Sequence, residues 1–326
     1  AVHPEDNVGT NLADELTPLN YYTILSDEEP ASVYTNANLR SFYITQPLQI
    51  NMENDSLHMR FYSPVGIKEV TVMAKSPTMD EYVEFVYIDD IPAFADIKTS
   101  IKVLEKGLYR TESGKVLQFS AEEMNPASLS LKIACNDPYW TKISQIKAKW
   151  YIKFVLNGGN PVTGTPNKNW WGIRPVHCRE AVALFLNIGY MCTLEKFQQR
   201  VSTFQGTFLD NNRYPVDTST LISRLENLSG FDIGLIYSGN GVSGLGGGRT
   251  WGVYQKSFLY HYENSGGCCS TIFHELGHCL GYNHNSTMTY GQWASGCADV
   301  FYKNNIKDFP VNSHTILKSR SNPNIY

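Results

Sequence analysis

The chain of 326 residues is 42% hydrophobic, enough for two ordinary cores and short for three. Its formal charge of -4 is spread thinly over 27 basic and 31 acidic residues, with no lysine-arginine stripe, which argues against a nucleic-acid partner. No apolar run approaches the length that crosses a bilayer as a helix, and no transmembrane segment is expected.

Residues 1–30 are polar and acidic, with Pro4, Pro18 and Pro30, and are expected to form a loosely held leader. Residues 31–137 contain short segments rich in Val, Ile, Tyr and Phe, such as Leu57 to Tyr62, Lys68 to Met73 and Tyr82 to Ile88, separated by Pro, Gly, Asn and Asp turns. This texture predicts an all-β domain, an antiparallel sandwich. His58 lies in one of these segments without a partner motif and reads as an ordinary strand residue.

Asn136-Asp137-Pro138 opens a turn and short helix, and the boundary is placed there, leaving 138–326 as a second domain. Trp150 to Leu156 is a strand, ended by Asn157-Gly158-Gly159-Asn160-Pro161. Pro175 to about Tyr190 is an apolar helix, Leu194 to about Phe204 a more polar one, and Asp217 to Leu228 a third. Asp232 to Tyr237 is a short buried strand. Strands alternating with helices predict an α/β or α+β layer arrangement.

Residues 239–250 are rich in glycine. A phosphate loop needs Gly-Lys-Ser/Thr opening a helix, whereas Arg249 replaces the lysine and a strand-like run follows. Such a backbone leading into Trp251-Gly252-Val253-Tyr254 predicts an exposed strand edge along a cleft, with Gly252, Val253 and Tyr254 able to pair with an extended peptide. Phe258 to Tyr262 is the expected neighbouring strand, and His261 within it is expected to be structural. Gly266 and Gly267 lead to Ser270, the expected N-cap of the next helix.

That helix carries His274-Glu275-Leu276-Gly277-His278-Cys279-Leu280-Gly281-Tyr282-Asn283-His284. His274 and His278 are four apart, so both imidazoles leave one face and can grip one cation. Ile272, Phe273, Leu276 and Leu280 fall on the opposite, core-facing side. Glu275 sits beside the pair, where a general base belongs. Gly281 accepts positive φ, so the helix can stop and His284 can return as a third nitrogen ligand. Three protein ligands leave one corner of a tetrahedral site open, the mark of a catalytic Zn2+.

Of seven cysteines, Cys268, Cys269, Cys279 and Cys297 lie near this helix. A disulfide from Cys268 or Cys269 to Cys297 and a set of buried thiols are both open. Cys279 follows His278 by one residue and points about 100° away from it, so a role on the metal is not expected.

The pattern from His274 to His284, followed by Ser286-Thr287-Met288-Thr289-Tyr290-Gly291, resembles the metzincin clan of zinc endopeptidases. The resemblance covers about residues 150–295. It implies that His274, His278 and His284 hold one zinc ion, that Glu275 is the general base and that Met288 forms a turn beneath the metal. The order Met288-Thr289-Tyr290 is similar to the astacin and serralysin branches, which implies a catalytic Tyr290 near the metal; simple packing of that tyrosine beside Met288 is the other reading. The clan also implies a substrate-binding edge strand within about 243–256. Only three residues separate His284 from Met288, a shorter link than most branches carry. Nothing in residues 1–135 matches a prodomain pattern.

The expected function is a zinc-dependent endopeptidase acting on extended peptide, protein or glycoprotein substrates. The alternative is a glycan- or protein-binding surface adhesin with a vestigial or structural zinc site. Asn285-Ser286-Thr287 is a glycosylation sequon directly after the third ligand, where a glycan would obstruct the cleft. Either the chain escapes that machinery, as an exported bacterial protein would, or the sequon is unused; the opening Ala1-Val2-His3-Pro4 reads as a mature or trimmed start, and the expected location is secreted or cell-surface, that of an exported bacterial protein.

Overall fold

The computed structural model describes residues 11–12, 21–101, 103–262, 268–313, 316–317 and 326. Its architecture is mixed α/β with several sheets, divided into two compact units: Ala1–Ile24 with Pro47–Thr141, and Leu25–Gln46 with Lys142–Tyr326. Pro4, Pro18, Gly266 and Gly267 lie outside the described residues. No described helix is long and apolar enough to cross a membrane.

The first unit is built on β-strands. One four-stranded sheet runs Asn11–Leu12, Val83–Ile91, Ile67–Lys75, Ser130–Cys135, the other Tyr21–Thr23, Ala95–Ser100, Ser56–Phe61, Leu48–Glu53, and a two-stranded sheet joins Lys106–Arg110 to Val116–Ser120. Period-2 alternation explains the packing: in Ser56–Phe61 every second residue, Leu57, Met59 and Phe61, is buried. These side chains share one core cluster with Val70, Val72, Phe85 and Val86 of the other sheet. His58 faces away from that core, its ring nitrogens 2.9 Å from Glu53 Oε1 and 2.6 Å from Asp96 Oδ1.

The second unit holds a six-stranded sheet in the order Gly244–Gly247, Thr250–Tyr254, Gly230–Ile236, Tyr151–Phe154, Ser41–Tyr43, with Trp170–Trp171 paired to the far end of Gly230–Ile236. The three central strands are parallel, and their Ile152, Phe231, Ile233, Leu235, Trp251 and Val253 are fully buried, as strands covered on both faces require. The helix Pro175–Thr193 has proline in its first turn and almost no exposed side chain. Its Phe185 meets Trp150, Phe231 and Trp251 at ring separations of 6.0, 5.0 and 4.9 Å, fastening the helix to the sheet.

Three expectations are corrected. The described part of the leader is paired, not loose: Asn11–Leu12 lies parallel to Val86 and Tyr87, and Tyr21–Thr23 lies antiparallel to Ala95, Asp96 and Ile97. Main-chain pairing at a sheet edge needs no apolar side chains, so polarity concealed it. Residues 31–46 belong to the second unit rather than the first, because Ser41–Tyr43 pairs antiparallel with Tyr151–Phe154 and buries Phe42 and Ile44. Phe258 to Tyr262 is not a strand; Gln255–Tyr260 is helical and buries Phe258 and Leu259. The sheet position expected for it is filled by Gly244–Gly247, which doubles back on Thr250–Tyr254 through Gly247 at φ 144° and Gly248 at φ 57°.

Candidate metal centre

The helix Cys268–Cys279 sets the centre. Ser270 lies inside its first turn and is therefore not the N-cap. Ile272, Phe273 and Leu276 are fully buried behind it, and its position is fixed by two indoles, Trp251 donating to the Ile272 carbonyl (3.3 Å) and Trp293 to the Phe273 carbonyl (3.1 Å). The helix ends as its glycine predicts. Gly281 has φ 96°, its N–H bonds the His278 carbonyl at 2.9 Å, and the Tyr282 N–H reaches back to the Gly277 carbonyl at 3.1 Å, a Schellman termination. The chain then turns and delivers His284.

The three histidines converge. His278 Nε2 lies 3.1 Å from His274 Nε2 and 3.1 Å from His284 Nε2. His278 Nδ1 donates to the Tyr282 carbonyl at 2.7 Å, and His274 Nδ1 donates to the Thr289 carbonyl, so both rings turn their Nε2 lone pairs inward. Burial lowers the pKa of His278 and takes that of His274 down to about 4, so both imidazoles are neutral at pH 7, the form that ligates. Nitrogens bound at about 2.0–2.1 Å around a tetrahedral cation sit roughly 3.3–3.4 Å apart, close to the observed spacing. Among the described residues this is the one group of three or more His, Cys, Asp or Glu side chains able to hold a metal ion.

Glu275 stands beside the cluster, its Oε1 3.8 Å from His274 Nε2. The side chain is almost wholly buried, Oε2 has no hydrogen-bond partner, and desolvation pushes the carboxyl up to about 8. A cation next to it would favour the charged form again. The carboxylate fits because the strand crossing it has no side chains at two positions: a Cβ on Gly244 would lie 2.3 Å from Glu275 Oε1, and one on Gly246 would lie 2.7 Å from Oε2.

The cluster, Glu275 and this strand line a cavity of about 620 Å³, continued by Thr271 on the helix and by Tyr290 and Ala294 opposite. Met288 is fully buried, and its carbonyl abuts Gly277, where a Cβ would lie 2.2 Å from the oxygen. The three-residue link after His284 is thus long enough to bring Met288 beneath the helix. Tyr290 is 55% exposed and sets its ring 4.6 Å from that of His274 and 5.1 Å from that of His284.

The expected edge residues are displaced by one strand. Gly252, Val253 and Tyr254 are paired on both sides, to Gly230–Ile236 on one and on the other to Gly244–Gly247 and, for Tyr254, the Ser243 carbonyl, and the bare face of Gly252 receives the Trp170 ring. The sheet edge at the cavity is Gly244–Gly247 itself. Arg249 is held by Asp232 and the Tyr151 carbonyl. His261 stays out of the cluster, buried between Tyr302 Oη (2.8 Å) and Glu180 Oε2 (3.3 Å). Cys279 donates to the Thr250 carbonyl at 3.2 Å and is not part of the histidine cluster. Cys297 carries a free thiol, so the bridge to Cys269 is not formed; the Cys268 side chain lies outside the described set.

Sequence reasoning missed three contributors: Gly244 and Gly246, which leave room for the carboxylate, and Asn211, whose side chain touches the turn before His284. The crowding of glycines was a signal for the first two; Asn211 left none. In comparisons with known proteins, no family model, curated protein or solved structure matches the chain.

Proposed function

We propose that the chain is a zinc-dependent endopeptidase similar to the metzincins, with its second unit catalytic and its first a β-sandwich. The observation that carries this reading is the buried Glu275 carboxylate, its Oε2 without a hydrogen-bond partner, beside three inward-facing imidazoles on the wall of an open cavity. A structural zinc site would be closed by a fourth protein ligand, and among the described residues no fourth His, Cys, Asp or Glu joins the three histidines. Zinc, when bound, supplies Lewis acidity for a scissile carbonyl and lowers the pKa of water towards neutrality.

The chain's own residues supply the rest. The outer edge of Gly244–Gly247 pairs with no described strand, so its N–H and C=O groups are available to an extended peptide laid beside the histidines. Glu275 accepts a proton from the attacking water and returns it to the leaving amine, and its low exposure keeps that proton from bulk solvent. Tyr290, ringed against His274 and His284, is placed to donate its phenol to the oxygen that becomes negative. A secreted or surface location belongs to the same proposal.

The test is hydrolysis of a peptide library by zinc-loaded protein. Glu275→Gln is expected to lower kcat/KM by about 10²–10⁴-fold with zinc content unchanged, and Tyr290→Phe by about 10²-fold. A chelator should abolish cleavage and added zinc restore it. Cleavage that survives both chelation and Glu275→Gln sinks the mechanism; a Tyr290→Phe enzyme with unchanged kcat leaves that tyrosine as packing.

A further inference from the structure

His284 is the one ligand of the three that the helix does not carry. It arrives on the segment 281–287, whose backbone polar groups face a second loop about seventy residues earlier in the chain. Asn211 grips the segment with both ends of its amide: Nδ2 donates to the Gly281 carbonyl at 3.1 Å, and Oδ1 accepts the Asn283 N–H at 2.7 Å. On either side of it, Arg213 donates to the Asn285 carbonyl (3.1 Å), while Leu209 and Thr287 exchange two bonds, Thr287 N–H to the Leu209 carbonyl at 3.0 Å and Leu209 N–H to Thr287 Oγ1 at 2.8 Å.

The gripping loop is stiff in its own right. Asp210 Oδ1 accepts from the N–H groups of Asn212 (2.9 Å) and Tyr214 (3.0 Å), the Asp210 N–H bonds the Tyr214 carbonyl at 2.8 Å, and Leu209 bridges Pro215. A rigid loop presenting one amide to both sides of a glycine turn is the support a ligand on irregular backbone requires.

We infer that Asn211 is a positioning residue for the metal centre, acting through His284 by fixing the turn at Gly281–Asn283. The inference rests on the metal-binding reading of the three histidines. Without the amide, the Schellman termination and the Arg213 and Leu209–Thr287 bonds remain, but the Gly281 carbonyl and the Asn283 N–H lose their partner, so the turn between them is held less tightly and the third imidazole spends less time at the cluster. The two helical histidines keep their geometry.

A double-mutant cycle on zinc affinity tests this, with competition against a chromophoric chelator as the readout. Asn211→Ala is expected to weaken zinc binding by roughly 10–100-fold, the range typical of residues that orient ligands. Asn211→Asp, which keeps the acceptor for the Asn283 N–H, should recover part of the loss. In a His284→Ala background, Asn211→Ala should produce no further loss, because the residue it positions is gone. An unchanged affinity in the single variant, or an equal further loss in the double variant, overturns the inference. Hydrogen exchange on the metal-free protein provides a readout independent of zinc: Asn211→Ala should speed exchange at the Asn283 amide while the Pro175–Thr193 helix keeps its protection. Unchanged exchange there also overturns the inference. Failure of the wild type to bind zinc would remove the proposed function, and the exchange result would still decide whether Asn211 holds the turn.

Discussion

Gly277 is the tightest point of the centre. It faces the Met288 carbonyl so closely that an added Cβ would lie 2.2 Å from that oxygen, and both partners are backbone, so neither can rotate aside. Gly277→Ala is therefore expected to push the 286–290 segment off the helix. Overpacking of this kind costs about 1–3 kcal/mol, readable as a lower denaturant midpoint of the metal-free protein; an unchanged midpoint would show that the segment yields freely. At this scale the centre was legible wherever chemistry follows from spacing along one helix. His274, Glu275, His278 and the reversal at Gly281 could all be read that way. What could not be read were partners brought by the fold: the Thr289 carbonyl that orients His274, and Asn211.

Among the elements, the strand Gly244–Gly247 ties the sheet to the carboxylate. A methyl on Gly244 would meet Glu275 Oε1 at 2.3 Å, and here the obstructed atom is the end of a side chain that can swing. Gly244→Ala should thus leave folding and zinc content intact while displacing the carboxylate by about 1 Å, a shift that can cost about 10²-fold in rate. The measurement is kcat/KM beside metal content; a variant with wild-type kcat/KM would show that the niche is wider than its atoms suggest. This strand also shows why the expected edge fell one position inside the true one. The run 251–254 has the stronger strand composition, and its neighbour is mostly glycine, so propensity pointed to the inner strand. The aromatic run 258–262 was ambiguous for a different reason, being too short to separate a period of 2 from one of 3.6.

For the whole molecule, the β-rich and α/β halves were legible from texture, and the later boundary near 138 lies close to the observed division after Thr141. The earlier boundary was not legible, since nothing in Ser41-Phe42-Tyr43 announces a partner at Tyr151–Phe154. A fragment starting at residue 142 would lack that edge strand and the burial of Phe42 and Ile44. At about 1.5–3 kcal/mol for each such side chain, against a typical total of about 5–15 kcal/mol, the fragment is expected to unfold at markedly lower urea than one that retains residues 25–46. Equal midpoints for the two fragments would refute this. The same interleaving imposes an order in time. Ser41–Tyr43 leaves the ribosome about a hundred residues before its partner strand, and at roughly 5–20 residues per second it waits on the order of 5–20 s for it. During that interval the first unit can complete its own sheets, whereas the unit that carries the three histidines has no sheet edge to offer. The two units are interleaved in the chain, and all of the β-rich one has been synthesised before the histidine cluster can assemble.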